Sequence, residues 1–255
     1  MTTHPPYLSA GNAGPFTLDG TRCFRVGREK AVIIDPGPDV DSHVRALVTF
    51  MEDASEAVVL LTHGHGDHAA AAPAVARALK GEVWGPEGVG PVTRVLRDGD
   101  EVETDEGVLR AVHTPGHTVE HLAFHWPQRR ALFAGDLLLG RGDTTWVAEY
   151  PGCVADYLAS LERLRGLDLD VIYPAHGPPL EDPIAAIDRF EGHRRERIRQ
   201  VREAMEAHPG AAAADLLDAV YGKTIPPGLE GPALRSLAAV VEYVEGPAGD
   251  GGGAA

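Results

Sequence analysis

Residues 61–70 read LTHGHGDHAA and crowd His63, His65, Asp67 and His68 together directly behind an apolar run. A core gains nothing from such residues, because buried polar groups without partners cost free energy. Two histidines one residue apart on a loop can converge on one cation, and Asp67 and His68 then address a second position. Neutral imidazole and carboxylate are ligands that suit zinc, iron or manganese. Three other apolar stretches end in the same way. AVHTPGH delivers His117 to a Pro-Gly loop, ALFAGD ends on Asp136, and DVIYPAH ends on His176. Strand ends that hand ligand-type side chains to loops are where layered α/β scaffolds build their sites.

The elements that must carry these residues are legible in outline. Residues 14–35 read as strand, turn, strand, stopped by Asp35-Pro36-Gly37. Val40, Val44, Leu47, Val48 and Met51 recur at helical spacing within 39–53. AVVLLT, 57–62, is a short apolar run of the kind buried on both faces of a sheet. The Ala-rich stretch 67–80 with its acidic start predicts one helix. Short strands follow near 82–84, 101–103, 108–113, 121–126 and 131–135, then a helix over 153–165 and the strand leading to His176. This alternation predicts layered α/β architecture. Beyond residue 182 the strand signal gives out. A long helical segment closing at Pro209-Gly210 and two shorter ones predict a small helical, winged-helix-like domain over 183–246, after a catalytic domain over 1–182. The Gly-rich tail 247–255 reads as disordered.

Composition limits the function classes. The 255 residues are 44% hydrophobic and carry a formal charge of −15, which weighs against a dedicated nucleic-acid binder. No apolar stretch is long enough to span a bilayer, and the N-terminal segment lacks the basic-then-apolar pattern of a secretory signal, so a cytoplasmic location is expected. Cys23 and Cys153 form neither a disulfide framework nor a CxxC motif. One cationic stretch, HRRERIRQVRE at 193–203, is interleaved with Glu196 and Glu203. It reads as a solvated amphipathic helix, or as a contact through Arg194 and Arg195 with an anionic substrate such as RNA phosphate or a coenzyme A moiety.

The order HxHxDH, lone His, Asp, His resembles the metallo-β-lactamase superfamily of hydrolases, as do IIDPG at 33–37 and HTPGHT at 113–118. The resemblance spans roughly residues 14–180. It implies an α/β fold, the αββα four-layer sandwich of two mixed sheets. By position, His63, His65 and His117 would hold one metal ion, Asp67, His68 and His176 a second, and Asp136 would bridge them. The implied cofactors are two divalent ions, zinc foremost, with iron or manganese as alternatives. A hydroxide shared between them would exist at neutral pH, and the ions would stabilise developing negative charge. Asp67 would orient that hydroxide or shuttle a proton. Asp35 and His113 stand where family members carry partners that orient the ligands. His121 and His125 read as ordinary strand histidines. The loop 140–152 offers Thr144, Thr145, Trp146 and Tyr150 as a pocket lining.

The helical C-terminus is similar in style to the beta-lactamase-like protein 2 branch, beside glyoxalase-II-like members. Members of that branch are linked to single-stranded RNA cleavage and related enzymes are thioesterases; hydrolysis of a small carboxylic ester or thioester is the first expectation. Single-strand-specific endoribonuclease activity is the alternative, with RNA meeting the basic helix. Lactonase activity, promiscuous β-lactamase activity and a non-catalytic binding protein follow, and a homodimer is a further expectation. Asp136 speaks against a dedicated β-lactamase, since lactamases of this fold generally lack a bridging aspartate.

Overall fold

The computed structural model describes residues 4–222, 225 and 228–246; the tail 247–255 lies outside the described residues. The chain divides into two compact units. The first comprises the chain to Thr114 with Glu120–Gly142 and Leu167–Pro183, and the second comprises Pro115–Val119, Asp143–Gly166 and the chain from Ile184.

The first unit holds both sheets. One runs in the order β1 (Tyr7–Ser9), β2 (Arg22–Val26), β3 (Lys30–Ile34), β4 (Glu56–Leu60), β5 (Glu82–Gly85) and β6 (Arg94–Val95). Strands β3 to β6 are parallel, and β1 and β2 join them antiparallel. Parallel neighbours need crossovers, which α1 (Asp41–Phe50) supplies between β3 and β4. The other sheet is built from β7 (Glu101–Thr104), β8 (Gly107–His113), β9 (Leu122–Trp126), β10 (Ala131–Gly135) and β11 (Val171–Pro174). It is antiparallel except for the pair β10–β11.

Period-2 alternation sorts the side chains of the first sheet. Phe24, Val26, Val32, Ile34 and Leu60 face one way and share a core with Leu109, Leu122, Phe124, Phe133 and Tyr173 of the second sheet. Their intervening neighbours Cys23, Ala31, Ile33, Val59 and Leu61 pack with Leu47 and Met51 of α1 and Val75. The run 57–62 is therefore buried on both faces at its C-terminal half, as its unbroken apolar character predicts. Phe24 ties the two sheets together, its ring 5.3 Å from Phe133 and 5.6 Å from Tyr173. Such aromatic pairs add about 0.5–1.5 kcal/mol each beyond the area they bury.

Two features depart from the sequence expectation. The helix expected over 67–80 is two helices, α2 (Gly66–Ala69) and α3 (Ala72–Leu79). Pro73 stands in the first turn of α3, and its ring and missing N–H forbid continuation of a helix through it. The amide of Ala71 donates instead to Gly37 O at 2.9 Å, which ties the break to the turn after β3. The strands β1 and β6 are too short and too exposed to carry an alternating pattern.

The second unit is helical in its described part: α4 (Cys153–Arg165), α5 (Pro183–Ala207, from Ile184 onward), α6 (Leu217–Tyr221) behind a short 3₁₀ turn, and α7 (Glu230–Glu245). Arg165 links α4 to α5 through Asp188 (2.6 Å) and Glu191 (2.7 Å). Among the described residues, no helix is long and apolar enough to cross a membrane.

Candidate metal centre

The ligand-type residues stand at the carboxyl ends of parallel strands. Asp35 follows β3, His63 and His65 follow β4, Asp136 follows β10, and His176 follows β11. Asp35 adopts φ +51°, a left-handed conformation that Asp tolerates better than most residues. Its carboxylate, 1% exposed, takes three protons: from Thr62 N–H (2.8 Å), Thr62 Oγ1–H (2.7 Å) and His68 Nδ1–H (2.9 Å). With its own hydrogen committed to Asp35, Thr62 Oγ1 accepts from His63 Nδ1 at 2.9 Å. His176 Nδ1 donates to Gly20 O at 3.3 Å. These contacts place the hydrogens of His63, His68 and His176 on Nδ1 and leave Nε2 as a lone pair on each ring.

Asp67, His68, Asp136 and His176 each offer a ligand atom, all within 4.8 Å of one another. His176 Nε2 lies 3.2 Å from Asp67 Oδ2 and 3.3 Å from Asp136 Oδ1, and His68 Nε2 lies 3.5 Å from each carboxylate. Both Nε2 atoms are fully buried and make no hydrogen bond. Lone pairs turned on carboxylate oxygens repel unless a cation stands between them, and two imidazoles with two carboxylates are a donor set for a divalent ion. The residues present therefore fit the metal. In the metal-free chain protons meet the same demand. Burial pulls the His68 imidazole down, but Asp136 and Asp35 outweigh it and hold it well above its usual value. Burial likewise lowers His176, yet Asp136 and Asp67 push it up to about 9. Burial would raise Asp136, and the two histidines hold it well below the usual carboxylate range.

His63 is fully buried with its ring 4.7 Å from that of His65, which occupies the cap position of α2. His117 belongs to the five-residue segment of the second unit, where its Nδ1–H donates to Trp146 O at 2.9 Å. Gly116 beside it has φ +133°, and a Cβ there would stand 2.6 Å from Tyr157 Cα, so only glycine fits. His113 ends β8, its amide donating to Asp98 Oδ1. His121 is fully buried and precedes β9 rather than lying in it; His125 is on β9.

The loop and helix candidates lie in the second unit. Trp146 donates its indole N–H to Glu149 and stacks under Arg235 at 4.9 Å, and Tyr150 donates to Asp156 at 2.8 Å. Arg194 is 2% exposed, donates to Thr145 O at 3.3 Å and lies 5.4 Å above the Tyr157 ring. Arg195 is held by Glu191, Arg197 by Val220 O and the Tyr221 ring, and Arg199 by Glu196 and Glu203. The arginines of the basic stretch are thus engaged within the unit, and RNA gains no support from them. Sequence reasoning missed Thr62 and Thr114, small polar residues whose only signal was their place beside His63 and His113.

A model of the metallo-beta-lactamase superfamily matches residues 17–176, which include all seven ligand-type residues named from the motifs. This chain belongs to the metallo-β-lactamase superfamily. Its two mixed sheets with helices are the α/β sandwich of that family, and like its relatives it is a hydrolase with a His/Asp cluster suited to divalent metal. The chain is 30% identical over 223 residues to a beta-lactamase-like protein 2 homolog of Caenorhabditis elegans, covering 82% of this chain and 74% of that one. It is 32% identical over 241 residues to an atrochrysone carboxyl ACP thioesterase of Aspergillus chevalieri, covering 89% and 75%. A beta-lactamase domain protein from Burkholderia ambifaria shares the metallo-β-lactamase fold, with a TM-score of 0.80 at 24% identity over 93% of this chain and 85% of that one.

Proposed function

We propose that the protein is a dinuclear metal-dependent hydrolase of carboxylic thioesters, with zinc the foremost metal. By this reading His63, His65 and His117 would hold one ion and Asp67, His68 and His176 the other, with Asp136 serving both. The observation that carries this reading is the pair of buried lone pairs, His68 Nε2 and His176 Nε2, turned on the carboxylates of Asp67 and Asp136. The thioesterase named among the relatives, similar across 89% of this chain, supports the substrate class.

Divalent ions held there would lower the pKa of a water into the neutral range and polarise the thioester carbonyl. The chain's own residues arrange the rest. Asp35 and Thr62 fix the tautomers that aim His63 and His68. Asp136, almost fully buried, stays ionised beside two imidazoles. Asp67 has a side chain 31% exposed, the most open of the four. Burial raises its pKa, but His176 and His68 outweigh that and keep it ionised, so it can accept the proton of an attacking water. A thiol leaving group, with a pKa near 8.5, departs with little protonation, so the proton taken by Asp67 need not reach it for the bond to break.

The test is metal analysis of the purified protein by mass spectrometry, together with parallel assays on acyl-coenzyme A, lactoylglutathione and a fluorescent single-stranded RNA. We expect two ions per chain, thioester hydrolysis, and its loss in His68→Ala and Asp136→Ala. RNA cleavage without thioester hydrolysis, or full activity in a metal-stripped protein, overturns the reading.

A further inference from the structure

We propose that His121 is a positioning residue for Asp136, and that Gly135 is the residue that lets it reach. The inference rests on the metal reading above and extends it to groups outside the ligand set.

His121 Nε2 lies 3.3 Å from the backbone N of Asp136, and Nδ1 lies 2.9 Å from Thr114 Oγ1. A backbone amide can only donate, so Nε2 is the acceptor and the ring hydrogen sits on Nδ1, facing the threonine oxygen. Thr114 Oγ1 in turn points to Val112 O at 3.5 Å. His121 and Thr114 are both fully buried, so water does not compete for these contacts. The chain from the β8 backbone through Thr114 and His121 ends on the amide of the proposed bridging carboxylate.

Gly135 makes the approach possible. It closes β10 at φ +50°, and the pairing with β11 slips there, Phe133 opposing Tyr173 and Gly135 opposing Pro174. Such a bulge re-aims the residue that follows it. A Cβ at Gly135 would stand 2.6 Å from His121 Nε2 and 2.8 Å from Thr62 Oγ1. Thr62 Oγ1 is the atom shared by Asp35 and His63. The empty side of one glycine thus receives the group that sets the Asp136 amide and the group that sets the tautomer of His63. A residue with a merely space-filling role would not need an acceptor aimed at that amide.

The experiment is zinc titration of the metal-free full chain by chelator competition, with thermal melts of the same metal-free samples. His121→Leu removes the acceptor; His121→Gln places a side-chain oxygen near the position of Nε2. We expect about a 10- to 100-fold loss of zinc affinity in His121→Leu, the range seen when partners of metal ligands are removed. Most of it should return in His121→Gln. A folded His121→Leu protein with wild-type affinity overturns the proposal, as does a His121→Gln protein no better than His121→Leu. If His121→Leu does not fold, the near-isosteric Thr114→Val decides: a several-fold loss supports the proposal and unchanged affinity overturns it. A wild-type chain that takes up no zinc overturns the metal reading itself, a result distinct from any of these.

Discussion

Asp35→Asn tests whether the buried carboxylate behind β3 controls metal affinity. Asparagine tolerates left-handed backbone as aspartate does, so the φ of +51° adds no strain to the change. The amide can accept at one position only. If its oxygen faces Thr62 N–H, the bonds from Thr62 Oγ1 and His68 Nδ1 are lost; if it flips, an NH₂ group faces the Thr62 amide. Between one and two charge-assisted hydrogen bonds are at stake, at about 1.5–3 kcal/mol each. In the first orientation His68 is released from its Nδ1–H tautomer and can turn a hydrogen on the proposed ion. Partners of metal ligands typically control affinity 10- to 100-fold, about 1.4–2.7 kcal/mol. We expect Asp35→Asn to lose zinc affinity in that range and to melt several degrees lower when metal-free. Chelator-competition titration and thermal melts measure the two effects separately. Affinity within about twofold of wild type would refute the assignment of tautomers.

Metal-free protein should lose stability as pH rises from about 6.5 towards 9. His176 is raised from 6.5 to about 9 and His68 is raised as well, so their stabilising contribution is complete below 6.5 and vanishes as pH passes the folded values. Zinc uptake near pH 7 should correspondingly release protons, read by calorimetry in buffers of different ionisation heat; a flat stability profile and no proton release would contradict the site electrostatics. Gly116→Ala should cost about 2 kcal/mol or more, read as a fall in Tm, because its Cβ would meet Tyr157 Cα at 2.6 Å at φ +133°; an unchanged Tm speaks against so close an approach of the loop to α4. Arg194→Met should leave Tm unchanged or raise it, since this buried guanidinium has no carboxylate partner among the described residues and its desolvation is largely uncompensated. A drop of more than about 2 kcal/mol would show that the Thr145 and Tyr157 contacts outweigh that penalty.

The ligand-type residues were legible because their chemistry contradicts their setting. A histidine or aspartate at the mouth of an apolar strand has no packing reason to be there, and the motifs recur in an order the family shares. Asp35 was legible for the same reason, and its bonds to Thr62 and His68 show what it does. Thr62 and Thr114 were not, because a threonine beside a strand end looks like any other. His121 reads as an ordinary strand histidine; its place one residue before β9 and under the Asp136 amide follows from the register in which β9 pairs with β10. The break between α2 and α3 had a local signal in Pro73, outweighed by the helical propensity of the surrounding alanines. Arg195 and Arg199 meet glutamates of their own helix, as the interleaved sequence allows, whereas Arg194 and Arg197 meet Thr145, Tyr157, Val220 and Tyr221, partners that composition does not report.

The strands that carry the four-residue cluster also bear on how the chain must fold. Asp67 and His68 follow β4, whereas Asp136 and His176 follow β10 and β11, so the four-residue cluster joins segments far apart along the chain. Closing so long a loop carries its entropy cost before any ligand contact is made, and an unfolded chain has no means of presenting these groups together. An ion held there would therefore be bound by the finished sandwich alone, and its binding energy would act as folding energy. At a free concentration a hundred times its dissociation constant it would add about 2.7 kcal/mol to the stability of the native state. Metal supply would then govern not only turnover but how much of the chain survives long enough to turn anything over.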